Sequence, residues 1–329
     1  MAGMLVVERL RSRHLEGNLF GDPAERELVV YLPPSYERDR ERRYPVAYLL
    51  HGFGARALSW VVGPTLDGGF LRPAIGELLD RVFLSEGAPE LIVAMPDGWS
   101  RWGSSQWVDS PLNGRFERYV VEEVVPYVDA RFRTLARPES RGVFGSSSGG
   151  FGAWHLASRH PEVFGAMALL SADSYFQLTH LPWFYRYYDN IFPHEPDGPV
   201  EGDLYSWLCY GAAACYSPNP DRPPHLVDLP VAFPTGELVP EVWERWLAFD
   251  PVVSWRHRLP NLRALRGILL DVGFRDEYGF HYGHRILARA LEGAGIVAQV
   301  EEHDGTHFSR LVERIAFAVQ WFGQVLARG

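Results

Sequence analysis

Hydrophobic and polar positions along the chain follow two patterns that alternate. Short apolar runs, typical of buried strands, are separated by longer stretches in which apolar residues recur every three or four positions, as in helices with one buried face. Strands are therefore predicted at 4–10, 27–32, 45–50, 91–95, 141–145, 165–171, 267–272 and 297–302. Helices are predicted at 70–84, 115–133, 150–159, 280–294 and 309–327, with Pro126 expected to kink or divide the second. This alternation predicts an α/β fold, a mostly parallel sheet with helices on both faces.

One segment, 174–259, breaks the alternation. Residues 174–257 hold 17 aromatic residues and 12 of the chain's 25 prolines, with a helical pattern near 241–249. A structureless loop of this length is uncommon inside a compact domain. We therefore expect 1–173 and 260–329 to form the core, and 174–259 to form an inserted cap over one end of the sheet. The alternative is a peripheral packing subdomain, or a surface through which two copies form a homo-oligomer.

The overall charge argues against nucleic acid as a partner. The chain has 32 basic and 41 acidic residues and a net charge of −9, and no basic run is longer than Arg42–Arg43. Every basic residue is an arginine, because the sequence contains no lysine. Hydrophobic residues make up 47% and charged residues 22%, which is ordinary for a globular protein and excludes wholesale disorder.

Targeting signals are not evident in the sequence. Residues 1–13 lack the apolar region of a signal peptide, and no apolar run approaches the 18 residues of a membrane span. The expected location is cytoplasmic, although a secreted mature form without its signal would look the same. Cys209 and Cys215 are expected to be reduced packing residues, and their spacing leaves a disulfide open.

A candidate nucleophile lies in the sequence Gly-Ser-Ser-Ser-Gly at 145–149. It fits the G-x-S-x-G pattern, in which a tight turn between a strand and a helix presents a serine hydroxyl. Small residues in a turn are common, so the pattern alone is weak evidence. Here the predicted strand 141–145 runs into the turn and the predicted helix 150–159 follows it. This context makes Ser147 the proposed nucleophile.

Acyl transfer to a serine also needs donors for the developing oxyanion. The strand 45–50 ends in His51-Gly52-Phe53-Gly54, a glycine-bracketed turn that can direct a backbone N–H into the site. The second donor would be the Ser148 N–H, at the positive end of the helix after the nucleophile. We therefore predict an oxyanion hole formed by the Phe53 and Ser148 amides, and we interpret His51 as a brace for the loop.

The base and the acid are expected after the last two strands, because in α/β-hydrolases the triad runs serine, acid, histidine along the chain. His307 follows the strand 297–302 and is the predicted base, with His303 as its competitor. A metal pair formed by these two histidines is not expected, since the helix and glutamate of a zinc H-E-x-x-H motif are absent. No cofactor or metal is therefore implied.

Asp276 follows the strand 267–272 and is the predicted acid, which would orient the base and stabilise its protonated form. Three other carboxylates lie near the ends of these strands. Asp271 is expected to have a structural role within the strand, and Glu277 to be exposed turn polarity. Asp173, after the strand 165–171, is the remaining alternative.

Taken together, these segments resemble the esterase D-like family of α/β-hydrolases, which includes S-formylglutathione hydrolases, feruloyl and acetyl xylan esterases, enterochelin esterases and mycolyltransferases. The resemblance covers about 250 residues and is carried, besides the Ser147 turn, by VYLPPSY at 30–36, YLLHGFG at 48–54, MPDG at 95–98, EEVVPYVD at 122–129 and HPEVF at 160–164. Asp276 and His307 fall where the acid and base of the family would lie. The family usually has Met or Leu at the position of Ser148, but the backbone N–H is what the chemistry requires there.

The resemblance implies a serine carboxylic-ester hydrolase that forms an acyl-enzyme on a small to medium ester, with no cofactor. Trp99, Trp102 and Trp107 lie on a loop that borders the substrate cleft in the family, so they are candidate pocket residues for an aromatic group; ordinary packing beneath the cap is the alternative. Two other functions stay open. One is an acyltransferase on the same fold, and the other is a non-catalytic binding protein.

Overall fold

The computed structural model describes residues 2–62, 74–85, 87–194 and 198–327. Its strands are β1 (Met4–Arg11), β2 (Glu25–Leu32), β3 (Val46–Leu50), β4 (Ile92–Pro96), β5 (Asp109–Ser110), β6 (Gly114–Arg115), β7 (Arg141–Ser146), β8 (Ala166–Leu170), β9 (Val231–Ala232), β10 (Glu237–Leu238), β11 (Gly267–Gly273) and β12 (Gln299–His303). Its α-helices are α1 (Ser59–Val62), α2 (Ile75–Phe83), α3 (Phe116–Arg118), α4 (Val125–Arg131), α5 (Ser148–Arg159), α6 (Phe176–Thr179), α7 (Leu181–Arg186), α8 (Tyr188–Ile191), α9 (Leu204–Tyr216), α10 (Pro240–Leu247), α11 (Pro251–Ser254), α12 (Leu259–Ala264), α13 (Phe280–Gly293) and α14 (Leu311–Val325).

Eight of these strands form one sheet in the order β1-β2-β4-β3-β7-β8-β11-β12. β2 runs antiparallel to both of its neighbours, and the other pairs are parallel. All eight correspond to predicted strands, so the mostly parallel α/β architecture is confirmed. The beginning of the predicted helix 70–84 lies outside the described residues, and the rest of it forms α2.

The central strands are apolar throughout because helices cover both faces of the sheet. In β3 every residue is buried, and alternate side chains enter different cores: Tyr48 and Leu50 pack in one, Ala47 and Leu49 in the other. Parallel strands of this kind bring their carboxyl ends to one edge of the sheet. The loops after β3, β4, β7, β8, β11 and β12 therefore meet at that edge.

The predicted helix 115–133 is divided, as expected from Pro126. α3 runs into a π-helical turn at Tyr119–Val124, and Pro126 is the second residue of the following α4. The helical backbone continues through this point, since the Val125 N–H donates to the Val120 carbonyl across the π-helical turn. Pro126 has no N–H, so it cannot continue this pattern, and the change of helix type occurs next to it.

The segment 174–259 folds into short helices around its own aromatic core. Phe176 and Tyr216 pack there against Phe151 of α5, and Trp246 packs on Tyr216, so the segment is attached to the helix that follows the Ser147 turn. The two ends of the segment are joined by Asp250, whose carboxylate accepts the N–H groups of Tyr175 and Phe176. The predicted helical pattern near 241–249 corresponds to α10.

The two cysteines and the apolar helices bear on the expectations about disulfides and membrane spans. Cys209 and Cys215 are both free and buried in this aromatic core, as expected for packing residues. Within the ranges that the structure describes, no helix is long and apolar enough to cross a membrane.

α3 and α5 are joined by a cluster of charged side chains around Glu117. Its carboxylate bonds to His155 at 2.8 Å, to His160 at 2.7 Å and to Arg159 at 2.7 Å. Burial raises the pKa of Glu117, but the hydrogen bonds from the two histidines and the arginine outweigh it, and its pKa lies below the usual range. The hydrogen bond to Glu117 in turn raises the pKa of His160 above 6.5.

We predict that Glu117→Gln destabilises the protein by about 2–3 kcal/mol at pH 6, because it removes the charged acceptor of three hydrogen bonds, those from His155, Arg159 and His160. Because the folded-state pKa of His160 is raised, the stability that this pair contributes is complete below pH 6.5 and is lost as the pH rises through that folded-state pKa. Urea unfolding of wild type and variant should therefore give a larger difference at pH 6 than at pH 9.

Glu162→Gln is the matched control for this prediction. Glu162 bonds the other ring nitrogen of His160 at 2.8 Å but is 64% exposed, so its removal should cost less than about 1 kcal/mol. An equal loss in the two variants would contradict the structural role of Glu117.

Candidate active site

Ser147 occupies a strained turn between β7 and α5. Its backbone angles are φ 57° and ψ −128°, a region that non-glycine residues rarely adopt. The turn lies close against the end of β3, where a side chain at Gly149 would overlap the Leu50 carbonyl oxygen. The local sequence thus needs glycine at 149 to let the backbone approach, and the approach presents the Ser147 side chain at the edge of the sheet.

His307 and Asp276 form a buried pair at the same edge. His307 Nδ1 lies 2.8 Å from Asp276 Oδ2, and both residues are at most 3% exposed. Burial raises the pKa of Asp276, but its interactions with His307 and with the Tyr278 N–H, 3.0 Å away, outweigh it and lower the pKa below the usual value. Asp276 therefore stays a carboxylate and holds His307 with its other nitrogen, Nε2, facing away from the acid.

The rings of Tyr278, Phe280 and Phe308 surround the base. Their centroids lie 4.8, 5.4 and 4.7 Å from that of His307. These contacts fix the imidazole plane, and the aromatic faces and edges keep the pair out of bulk water. Such packing restricts the base to one orientation.

The other acid and base candidates have different roles. Asp271 forms a buried ion pair with Arg314. His303 lies 3.8 Å from Asp271 and makes no hydrogen bond through either ring nitrogen within the described residues. Glu277 is exposed in a turn, as expected, and its Oε2 also accepts the backbone N–H of His307 at 2.8 Å. Glu277 thus holds the loop that carries the base.

Arg314 on α14 ties the loops of the site together, and the sequence analysis missed it. Besides Asp271, its guanidinium donates to the His307 carbonyl at 3.3 Å and to Ser171 Oγ at 3.0 Å. It is 3% exposed. The signal was present in the sequence, since Arg314 shares one helical face with the apolar residues Leu311, Ile315 and Ala318.

Asp173, the alternative acid, lies beside the nucleophile and is not bonded to His307. Ser147 Oγ donates to Asp173 Oδ1 at 3.3 Å, and Ser148 Oγ donates to Asp173 Oδ2 at 3.3 Å. Ser147 and His307 both line one cavity of about 290 Å³ but are not hydrogen-bonded to each other. The described geometry therefore brings Ser147 and His307 to one cavity, with Asp276 bonded to His307 and the serine hydroxyl turned toward Asp173.

The two predicted oxyanion donors also lie at this cavity. Phe53 and Ser148 both line it. Ser148 is the first residue of α5, where a backbone N–H has no partner in the preceding turn and carries the positive end of the helix dipole. The Phe53 loop is fixed by its neighbour Gly54, whose N–H donates to the Gly103 carbonyl at 2.8 Å.

His51 braces this loop, as predicted. Its Nε2 accepts the Gly98 N–H at 2.8 Å, which leaves Nδ1 to donate to the Gly52 carbonyl at 3.0 Å. Burial lowers the pKa of His51, against a weaker opposing effect of Asp97, so the ring is held neutral. These contacts use both nitrogens to hold backbone.

The three predicted pocket tryptophans are not among the described residues that line the cavity. Trp107 is fully buried, donates to the His51 carbonyl at 3.2 Å and fills the space left by Gly98 and Gly152. Trp102 packs on Phe20, with ring centroids 4.3 Å apart. Trp99 stacks beneath the Arg56 guanidinium at 3.7 Å. The prediction that they contact substrate in this cavity is therefore not supported, and they pack the loops behind it.

The apolar wall of the cavity comes from other residues. Trp183, Leu204 and Leu208 of the segment 174–259 line it together with Trp60 and Leu311. The aromatic content of the segment 174–259 predicted that it would contribute to this region. The sequence showed no periodic pattern that would identify the individual lining residues. No group of three or more His, Cys, Asp or Glu side chains within the described ranges is placed to hold a metal ion.

Comparison with known proteins gives this geometry a context. The model of a family described as "Putative esterase" matches residues 23–314. An endo-1,4-beta-xylanase/feruloyl esterase of Xylanibacter ruminicola is 30% identical over 149 residues, covering 44% of this chain and 19% of the relative. An esterase of Mycobacterium tuberculosis is 33% identical over 150 residues, covering 44% of this chain and 28% of the relative. The matched part thus spans less than a third of the length of these two curated relatives.

Solved structures share the fold over nearly the whole chain. A ferulic acid esterase superposes with a TM-score of 0.65 at 20% identity, covering 99% of each chain. An S-formylglutathione hydrolase from Agrobacterium tumefaciens superposes with a TM-score of 0.59 at 17% identity, covering 99% of this chain and 96% of the other. The sheet order and these superpositions show the α/β-hydrolase fold. With its family model matched over most of its length, the chain belongs to this esterase family.

Proposed function

We propose that the protein is a serine carboxylic-ester hydrolase that works through an acyl-enzyme. The observation that carries the proposal is the buried His307–Asp276 pair on the same cavity as Ser147, which is held in a strained turn. Nucleophile, base and orienting acid are the minimum set for acyl transfer through a serine. Membership of an esterase family agrees with this chemistry.

The reaction begins when the Ser147 hydroxyl turns from Asp173 to His307. Ser147 Oγ attacks the ester carbonyl carbon while its proton passes to His307 Nε2. The tetrahedral oxyanion accepts hydrogen bonds from the Phe53 and Ser148 amides. As the carbon–oxygen bond to the alcohol breaks, His307 returns its proton to the leaving oxygen.

Water completes the cycle by the same steps. His307 takes a proton from the water, the oxygen of the water attacks the acyl carbon, and the acid is released as Ser147 regains its proton. Asp276 stabilises the imidazolium in both halves and keeps its own charge.

We further propose that the segment 174–259 acts as a cap that shapes a small to medium, aromatic-tolerant site. Trp183, Leu204 and Leu208 bring apolar surface from this segment to the cavity. A volume of about 290 Å³ with mostly apolar walls suits a compact acyl group. One relative and one solved structure are named a feruloyl esterase and a ferulic acid esterase, names that denote esters of an aromatic acid, in agreement with such a wall.

The role of Ser147 as the nucleophile can be tested by substitution. Ser147→Ala should lower kcat for p-nitrophenyl acetate by about 10⁴- to 10⁶-fold and abolish labelling by a fluorophosphonate, because no other group can form the acyl-enzyme. Ser158→Ala, on the same helix and far from the cavity wall, is the control and should keep wild-type turnover. Retained turnover in Ser147→Ala would contradict the mechanism.

Matched substitutions separate the two acid candidates, Asp276 and Asp173. Asp276→Asn should lower kcat for p-nitrophenyl acetate by about 10³- to 10⁴-fold with little change in KM, since the amide favours the wrong tautomer of His307. Steady-state kinetics of Asp276→Asn and Asp173→Asn make the comparison. A larger loss in Asp173→Asn would identify Asp173 as the acid instead.

A conservative substitution tests whether Arg314 positions the loop that carries His307. Arg314→Lys keeps the charge beside Asp271 but cannot reach the His307 carbonyl and Ser171 at once, so we expect kcat to fall about 10- to 100-fold with KM nearly unchanged. Turnover is divided by the fraction of enzyme that a fluorophosphonate labels. A purely structural role would lower the labelled fraction and leave kcat per labelled site unchanged.

A further inference from the structure

A second polar group in the cavity has no part in the proposed triad. Asp173 follows β8, is 3% exposed and lines the cavity within hydrogen-bonding distance of Ser147. It brings a carboxylate to a site whose other walls are mostly apolar. A buried charge at this position is costly unless its oxygens are used.

The hydrogen bonds of Asp173 are few and long. Oδ1 accepts from Ser147 Oγ at 3.3 Å, and Oδ2 accepts from Ser148 Oγ at 3.3 Å and from Gln106 Nε2 at 3.5 Å. His180 Nε2 lies 3.8 Å from Oδ2, too far for a hydrogen bond. Asp173 therefore has capacity to accept a further donor.

Gln106 adds an independent observation. It also lines the cavity and is only 4% exposed. Its amide oxygen Oε1 is buried with no hydrogen-bond partner among the described residues. A buried acceptor left unpaired costs free energy, which a donor on a bound molecule would recover. Two residues with acceptor capacity, one of them charged, thus line the same cavity as the nucleophile.

The reaction itself removes one of the existing donors. When the Ser147 hydroxyl turns to His307 and then forms the acyl bond, Asp173 Oδ1 loses the partner it has in this structure. Oδ1 would then lack a donor at the moment when the acyl group occupies the cavity, while Oδ2 keeps Ser148 and Gln106. A donor on that acyl group would restore the hydrogen bond.

We propose that Asp173 and Gln106 select esters whose acyl group carries a hydrogen-bond donor, a hydroxyl or a protonated amine, on the first or second carbon from the scissile carbonyl. This inference rests on the proposed function. The position follows from distance, because such a group lies within about 3–4 Å of the Ser147 oxygen once the acyl bond has formed. The negative charge of Asp173 disfavours acyl groups that carry a carboxylate of their own.

The test compares esters in which a methyl group replaces the hydrogen of the donor hydroxyl. The probes are methyl 2-hydroxybutyrate against methyl 2-methoxybutyrate, and methyl 3-hydroxybutyrate against methyl 3-methoxybutyrate. The methoxy group keeps an oxygen and its electron withdrawal but cannot donate. In at least one pair, wild-type kcat/KM should favour the hydroxy ester about 10- to 100-fold, as expected for a hydrogen bond to a charged acceptor.

Variants assign this selectivity to Asp173. In Asp173→Leu the hydroxy-to-methoxy ratio should fall to about 1, and in the isosteric Asp173→Asn it should fall at least threefold. Asp173→Asn should also improve monomethyl succinate relative to methyl butyrate. Asp221→Leu, which removes an exposed carboxylate, is the control and should keep the wild-type ratio.

The outcomes separate this inference from the proposed function. If wild type labels at Ser147 and cleaves p-nitrophenyl acetate but shows a ratio below about 3 in both pairs, the inference is wrong and the proposed function stands. An unchanged hydroxy-to-methoxy ratio in both Asp173 variants would assign the selectivity to the size of the substituent. This result would also contradict the inference. If wild type cleaves none of the esters and does not label, the proposed function fails first.

Discussion

The close approach of the Ser147 turn to the end of β3 is the constraint on which the rest of the site depends. A turn at φ 57° costs about 1–3 kcal/mol and persists where its surroundings leave no alternative. Those surroundings are visible: the Ser147 N–H donates to the Leu170 carbonyl at 3.0 Å, and Gly149 packs on Leu50. Three parallel strands thus clamp the turn. Because their carboxyl ends share one edge, the same clamp sets the distance from the nucleophile to the other loops.

The remaining loops are held by buried charge rather than by apolar packing alone. Arg314 joins Asp271 on β11, Ser171 after β8 and the His307 carbonyl after β12. Removing one member of such a network leaves an unpaired charge in the interior, which is far more costly than the pairing is favourable. The network therefore makes the relative position of acid and base cooperative. Glu277 adds to it by accepting the His307 N–H.

The sequence predicts the sheet well, and it also predicts that the loops carrying Ser147, Asp276 and His307 meet at one edge, for physical reasons. Strands buried on both faces must be apolar throughout, so the pattern in β3 and β4 has few competing interpretations. The Ser147 turn needs small residues at set spacings, and Asp276 and His307 follow strands whose ends must meet. Each of these signals is local in sequence or fixed by parallel topology.

Side-chain directions in loops were not predictable in the same way. Trp107 follows the carboxyl end of β4, as a pocket residue would, but its ring turns into the core because Gly98 and Gly152 leave room for it. The helical pattern places Arg314 on the buried face of α14, but the groups that Glu277 and Arg314 bind are distant in sequence, and no spacing identifies them. The walls of the cavity contributed by 174–259 depend on how short helices pack around one aromatic core.

Asp173 shows how the two kinds of information combine. Its place after β8 made it a candidate acid, and that argument was sound for the backbone, since the loop does reach the nucleophile. What topology does not determine is which partner a carboxylate meets there. With His307 already paired to Asp276, a second carboxylate 3.3 Å from Ser147 Oγ has no use in proton transfer to the base. Its remaining chemistry is acceptance of a hydrogen bond from a donor. The position after β8 would serve catalysis if its carboxylate were paired with the base, and it serves substrate recognition where Asp276 already fills that role.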